Sequence, residues 1–196
     1  MKHSPDELLS IAHRYYARGI HQYDPGYQDT EEHRRLVQTR IQAGAEGNPW
    51  RNILLRRLRA RFPGFTVQDG SLHLPTGQHD AGYVGWLWLP PRGPQEKNHV
   101  IGFLISFLAP YYVLYSSAHV AAPGGTPQDW SQEIRFTFAP DEEPYARAVT
   151  EEILSIFPDR EPLPPEIGNI VVPDVVAGNQ SMGQTTLFHC LFTDTW

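Results

Sequence analysis

A chain of 196 residues, 40% hydrophobic and 19% charged, is long enough to bury about 70% of the surface its unfolded form exposes, so it needs no disulfide or metal staple. Its single cysteine, Cys190, excludes an intrachain disulfide framework and suits a reducing compartment. The net charge of −6 disfavours general nucleic-acid binding and is unevenly divided: residues 1–61 hold eleven basic and seven acidic side chains (+4), residues 62–196 five and fifteen (−10).

The opening MKHSPDELLS has no apolar h-region, which predicts a cytoplasmic protein without a secretion signal. Ser4, Pro5 and Glu7 form a capping box with proline at the first helical position, predicting a helix that ends near Gly19. Asp24, Pro25 and Gly26 then give turn chemistry, and Asp29 with Glu32 caps a second helix running to about Ala43. Asn48 and Pro49 start a third helix, with Trp50, Ile53, Leu54 and Leu58 on one face and five arginines between Arg51 and Arg61 largely elsewhere. Those arginines face water, pair with the acidic C-terminal half, or meet an anionic surface.

From Phe65 the period becomes that of strands. Phe65 to Gln68, a turn at Asp69 and Gly70, and Ser71 to Leu74 read as a hairpin, followed by the aromatic strand Tyr83 to Leu89. Gly85 within that strand suits close packing.

The stretch NHVIGFLISFLAPYYVLYSS, Asn98 to Ser117, carries no formal charge. Its most apolar part, Val100 to Tyr115, is short of the roughly 20 residues a spanning helix needs, and Pro110 would break that helix. Because both parities are apolar, it fits central strands covered on both faces, split near Pro110; a buried helix is the alternative.

Ile134, Phe136 and Phe138 alternate with Arg135 and Thr137 as a half-buried strand. A late helix, about Glu142 to Phe157, has a core stripe of Tyr145, Val149, Ile153 and Ile156, and acidic residues at its start suit the helix dipole. Asn169 to Val172 and Thr185 to Phe192 read as final strands. The expected fold is α+β: a mainly antiparallel sheet with N-terminal helices and one late helix packed on it, in a single domain with a helical part (1–61) and a sheet-rich part (62–196).

Chemistry is sparse. None of the nine histidines lies in a zincin pattern, and no cysteine pair gives a zinc ribbon. His79 with Asp80, His119, or Cys190 with a histidine are the candidates for a small hydrolase. On a strand, however, His189 and Cys190 point to opposite faces, which favours a buried, inert thiol. Ser181 in GNQSMG misses the nucleophile elbow, because Asn179 stands where glycine belongs. No catalytic or metal residue is assigned, and no cofactor is expected.

The order of elements, with the segments YVGWLWLP, VIGFLISFLAPYYVLYSS and LFHCLFTDTW, resembles small bacterial immunity proteins of polymorphic-toxin systems over roughly Trp50 onward. That resemblance implies a cytoplasmic protein that binds a cognate toxin and blocks it, without membrane insertion or nucleic acid. Its motifs transfer no interface residues. Charge supplies the candidates for steering a basic toxin: Asp141, Glu142, Glu143, Glu151, Glu152, Asp159 and Glu161, with Trp130 and Tyr145 as aromatic anchors.

Overall fold

The uncharged central stretch folds as two long strands, β3 (Glu96–Ser106) and β4 (Tyr111–Ala121), joined by a tight turn that contains Pro110. The structure, a computed structural model, describes residues 2–45, 48–71, 81–93, 96–121 and 130–193. Around this pair lie β1 (Thr66–Asp69), β2 (Gly82–Trp88) and β5 (Trp130–Arg135), giving the antiparallel order β1-β2-β3-β4-β5. Residues 72–74 of the expected hairpin partner lie outside the described residues; β1 pairs with β2 instead. A short sixth strand, β6 (Glu161–Pro162), runs parallel to β4 at Tyr111 and Tyr112.

Both faces of the sheet are covered, which is why both parities of β3 and β4 are apolar. One face buries Val84, Leu104, Tyr111, Val113 and Tyr115 against helix α1 (Pro5–Tyr15) and the C-terminal segment. The other buries Tyr83, Leu87, Ile101, Phe103, Ile105 and Tyr112 against two further helices. One of these, α3, begins as wide π-helical turns over Asn48–Leu55 and tightens to α-helix over Arg56–Arg61; the other is α4 (Glu143–Ile156). The wide turns place Trp50, Leu54, Leu55 and Leu58 in the core and leave Ile53 exposed, where 3.6-residue spacing had put Ile53 inside.

Helix starts follow local chemistry. The Ser4–Glu7 capping box forms, with Ser4 N–H donating to Glu7 and Glu7 N–H to Ser4 Oγ. Helix α2 (Glu31–Ala45) is capped by Thr30, whose Oγ1 accepts the His33 N–H, rather than by Asp29, which sits in a 3-10 turn. The late helix α4 keeps its predicted stripe, with Val149 and Ile153 fully buried and Tyr145 half-buried.

Three expected strands differ: Asn169 to Val172 forms only the isolated bridge of Val171 with Thr186. The strand read at 134–138 is β5, displaced toward the N-terminus, and its residues 131–134 are exposed because it forms the end of the sheet. Thr185 to Phe192 is not a strand: after one bridge between Val171 and Thr186, the chain turns into a short helix, α6 (Leu187–Leu191). A preceding single turn, α5 (Pro165–Gly168), packs beside it. Thr186 caps α6, with its N–H donating to His189 Nδ1, a local solution that outcompetes strand pairing.

Glycine opposite aromatic rings fixes the centre of the sheet. Gly102 pairs across to Trp86 on one side and Tyr115 on the other, and Trp86 Nε1–H donates to Tyr115 Oη at 2.8 Å over it. A Cβ on Gly102 would stand 1.9 Å from the Tyr115 ring. Gly85 gives Phe103 and Trp50 the same close approach.

Candidate functional site

The most polar buried place lies where the start of α4 meets β3, β4 and β5. Glu142 is wholly buried, and its Oε1 meets His99 Nε2 at 2.8 Å, the Ser116 hydroxyl, Arg92 Nη2 at 2.7 Å and Arg135 Nη2 at 3.1 Å. Its Oε2 accepts the Ala139 N–H at 2.7 Å. Burial by itself pushes this carboxyl upward, but the donors from Ser116, Ala139 and His99 and the Arg92 charge outweigh it and hold the pKa at about 2. Serine, histidine and a carboxylate thus meet, yet in an order unlike a nucleophile relay: the carboxylate stands between the other two, and the Ser116 proton is committed to it. The arrangement ties three strands to a helix terminus.

This geometry reassigns several of the predicted acidic contacts. Glu142 is inside the protein and presents no surface for steering. Glu152 is only 8% exposed and forms ion pairs with Arg57 at 2.7 Å and Arg61 at 3.3 Å. Glu151 is exposed and pairs with Arg61 at 2.6 Å, and Asp141 pairs with Arg92, whose hydrogen bond lowers the Asp141 carboxyl below its ordinary range. Of the three open readings of the basic α3 helix, pairing with the acidic half is the one observed at Arg57 and Arg61. Glu143 is exposed at the start of α4; Asp159 is exposed beside Arg160, and Glu161 accepts the Lys2 N–H. Tyr145 packs against Phe62 and Phe65, so its role is in the core. Trp130 opens β5, where its backbone pairs with Ala121; its side chain lies outside the described residues.

A different feature stands out at the sheet edge. On the side of β4 away from β3, β6 pairs with Tyr111 and Tyr112 and β5 begins pairing at Ser116, so the register of neither strand spans residues 113–115. The gap is lined by two adjoining cavities of about 210 and 220 Å³ that share Val113, Phe136, Leu163 and Pro165. Phe188, Asn169 and His189 complete the first; Leu114, Phe138 and Thr150 line the second. Each volume matches one large apolar group, since a dry cavity of about 150 Å³ accommodates benzene. Phe136 is 45% exposed at the rim. Sequence reasoning placed Phe136 in the core because alternation marks a strand's apolar face without telling whether anything covers it.

Among the described residues the candidate catalytic side chains do not come together. Cys190 is buried, burial raises its thiol pKa well above the ordinary value, and neighbouring His189 is engaged with Thr186 through Nδ1. On a helix these neighbours point about 100° apart, so they fail as a pair for a reason other than strand alternation. His119 lies at the far end of β4, with Nδ1 3.4 Å from Asn98 Nδ2, and Ser181 is exposed in a turn. His79 and Asp80 lie outside the described residues. Among the described residues no three His, Cys, Asp or Glu side chains gather as a cation site, and no helix is long and apolar enough to cross a membrane.

Fold and site together define an α+β protein: an antiparallel sheet covered on both faces, with an apolar groove at an interrupted edge. Comparison with protein-family models, with curated proteins and with solved structures returned no match.

Proposed function

We propose that this protein works by binding another protein, as an immunity protein that captures and neutralises a cognate toxin in the cytoplasm. The observation that carries this reading is the twin-cavity groove at the edge of β4, with Phe136 exposed on its rim. Pockets that each take one large apolar side chain suit the anchor residues that dominate protein interfaces. The net charge of −6 and the exposed carboxylates of Glu143 and Asp159 favour a cationic partner, although Asp141 and Glu151 are already matched by arginines.

The test is to look for a multidomain toxin gene immediately upstream and to co-express its product with this protein, followed by pull-down. Rescue by the parent protein and its loss in a folded Phe136→Asp variant are expected. Rescue that survives Phe136→Asp would remove the groove from the interface; failure of the parent protein to rescue would remove the immunity reading. A hydrolase built on Cys190 receives no support from its buried thiol.

A further inference from the structure

We propose that β5 is the edge through which two copies of this chain pair, antiparallel, about a two-fold axis at Ile134. Backbone direction decides which residues of β5 face outward. Tyr112 accepts the Leu163 N–H on the side of β4 away from β3, so alternate residues Ser116, Ala118 and Val120 present their backbone groups on that same side. These residues face Arg135, Glu133 and Ser131. The backbone groups of Gln132 and Ile134 therefore point away from β4, to the outer edge of the terminal strand, where no described strand pairs with them.

An edge of this kind is a template for another strand, and side chains choose its register. With Ile134 on the axis, the two Ile134 side chains meet, Gln132 faces Phe136 of the second copy, and Glu133 faces Arg135 of the second copy twice over. Residues 133 and 135 would form the closer, non-hydrogen-bonded pairs, in which opposite charges interact best. Ile134 is 36% and Phe136 45% exposed in the single chain, so this register covers apolar surface while matching charge. A two-fold at Gln132 instead sets Glu133 against Ser131 and leaves its charge without a cation. Arg135 already meets Glu142 and Ser116 through Nη2, which holds its side chain in place beside the axis.

Purified protein alone is enough to test this pairing. Sedimentation velocity over a wide concentration range should show a monomer–dimer equilibrium, weakened about tenfold or more by Glu133→Arg, which replaces two attractive pairs with two repulsive ones. Directly opposed residues of this kind lie about 5.5 Å apart, within disulfide reach, and the one native thiol is buried. Under mild oxidation Ile134→Cys should therefore cross-link to a covalent dimer and Gln132→Cys should not. A monomer at every concentration, a dissociation constant unmoved by Glu133→Arg, or cross-linking at 132 in preference to 134 would each overturn the proposal.

Discussion

His99 Nε2 and Glu142 Oε1 lie 2.8 Å apart in a place where both side chains are almost wholly buried. The pair joins β3 to the start of α4, and a carboxylate is tolerated there because Ser116, Arg92, Arg135 and the Ala139 N–H also converge on it.

That convergence sets a pH dependence. The folded pKa of Glu142 is about 2, below the ordinary value of 4.5, so its contribution to stability is complete above about pH 4.5 and is lost as pH falls toward about 2. Glu142→Gln should flatten this acid limb and lower stability at neutral pH by about 3 kcal/mol, because the buried carboxylate that the His99, Ser116, Arg92, Arg135 and Ala139 donors share is lost. Urea midpoints followed across that range check it; an acid limb of unchanged steepness would assign the effect to other carboxylates.

The centre of the sheet should resist any side chain at Gly102. Gly102→Ala places a methyl group where the Tyr115 ring now lies, and that ring is held by Trp86. A loss of about 2–3 kcal/mol is expected from overpacking, read as a lower urea midpoint with unchanged slope. Tyr115→Phe, which keeps the ring and removes the acceptor of the Trp86 N–H, should cost about 1 kcal/mol.

Phe103 and Leu104 are both fully buried, on opposite faces of β3. Leu104→Ala should destabilise by about 2–5 kcal/mol, and Phe103→Asp should leave no folded protein by near-ultraviolet circular dichroism, since it buries an unpaired charge. A stable Phe103→Asp variant would mean that the second face is not packed as described.

Cys190 should stay unmodified by a thiol reagent in the native protein and react at the rate of unfolding, because burial keeps it protonated and inaccessible. Reaction as fast as that of a free thiol would revive it as a nucleophile.

The sequence by itself determined the elements whose signals are local. The Ser4–Glu7 box and the stripe of α4 mark their helices, and Pro110 between two runs apolar in both parities marks a central strand pair covered on both faces. Signals that depend on neighbours were decided by tertiary structure. Thr185 to Phe192 is an apolar run short enough for either period, and a Thr186 cap with room to pack α6 made it helical. Alternation at Ile134 and Phe136 showed a strand, but its place at the end of the sheet left those side chains exposed. The acidic residues show the same division most clearly. Their charge is legible in the chain, whereas the burial of Glu142 and the pairing of Glu152 with Arg57 and Arg61 arise from residues far apart in sequence, which packing alone brings within ion-pair distance.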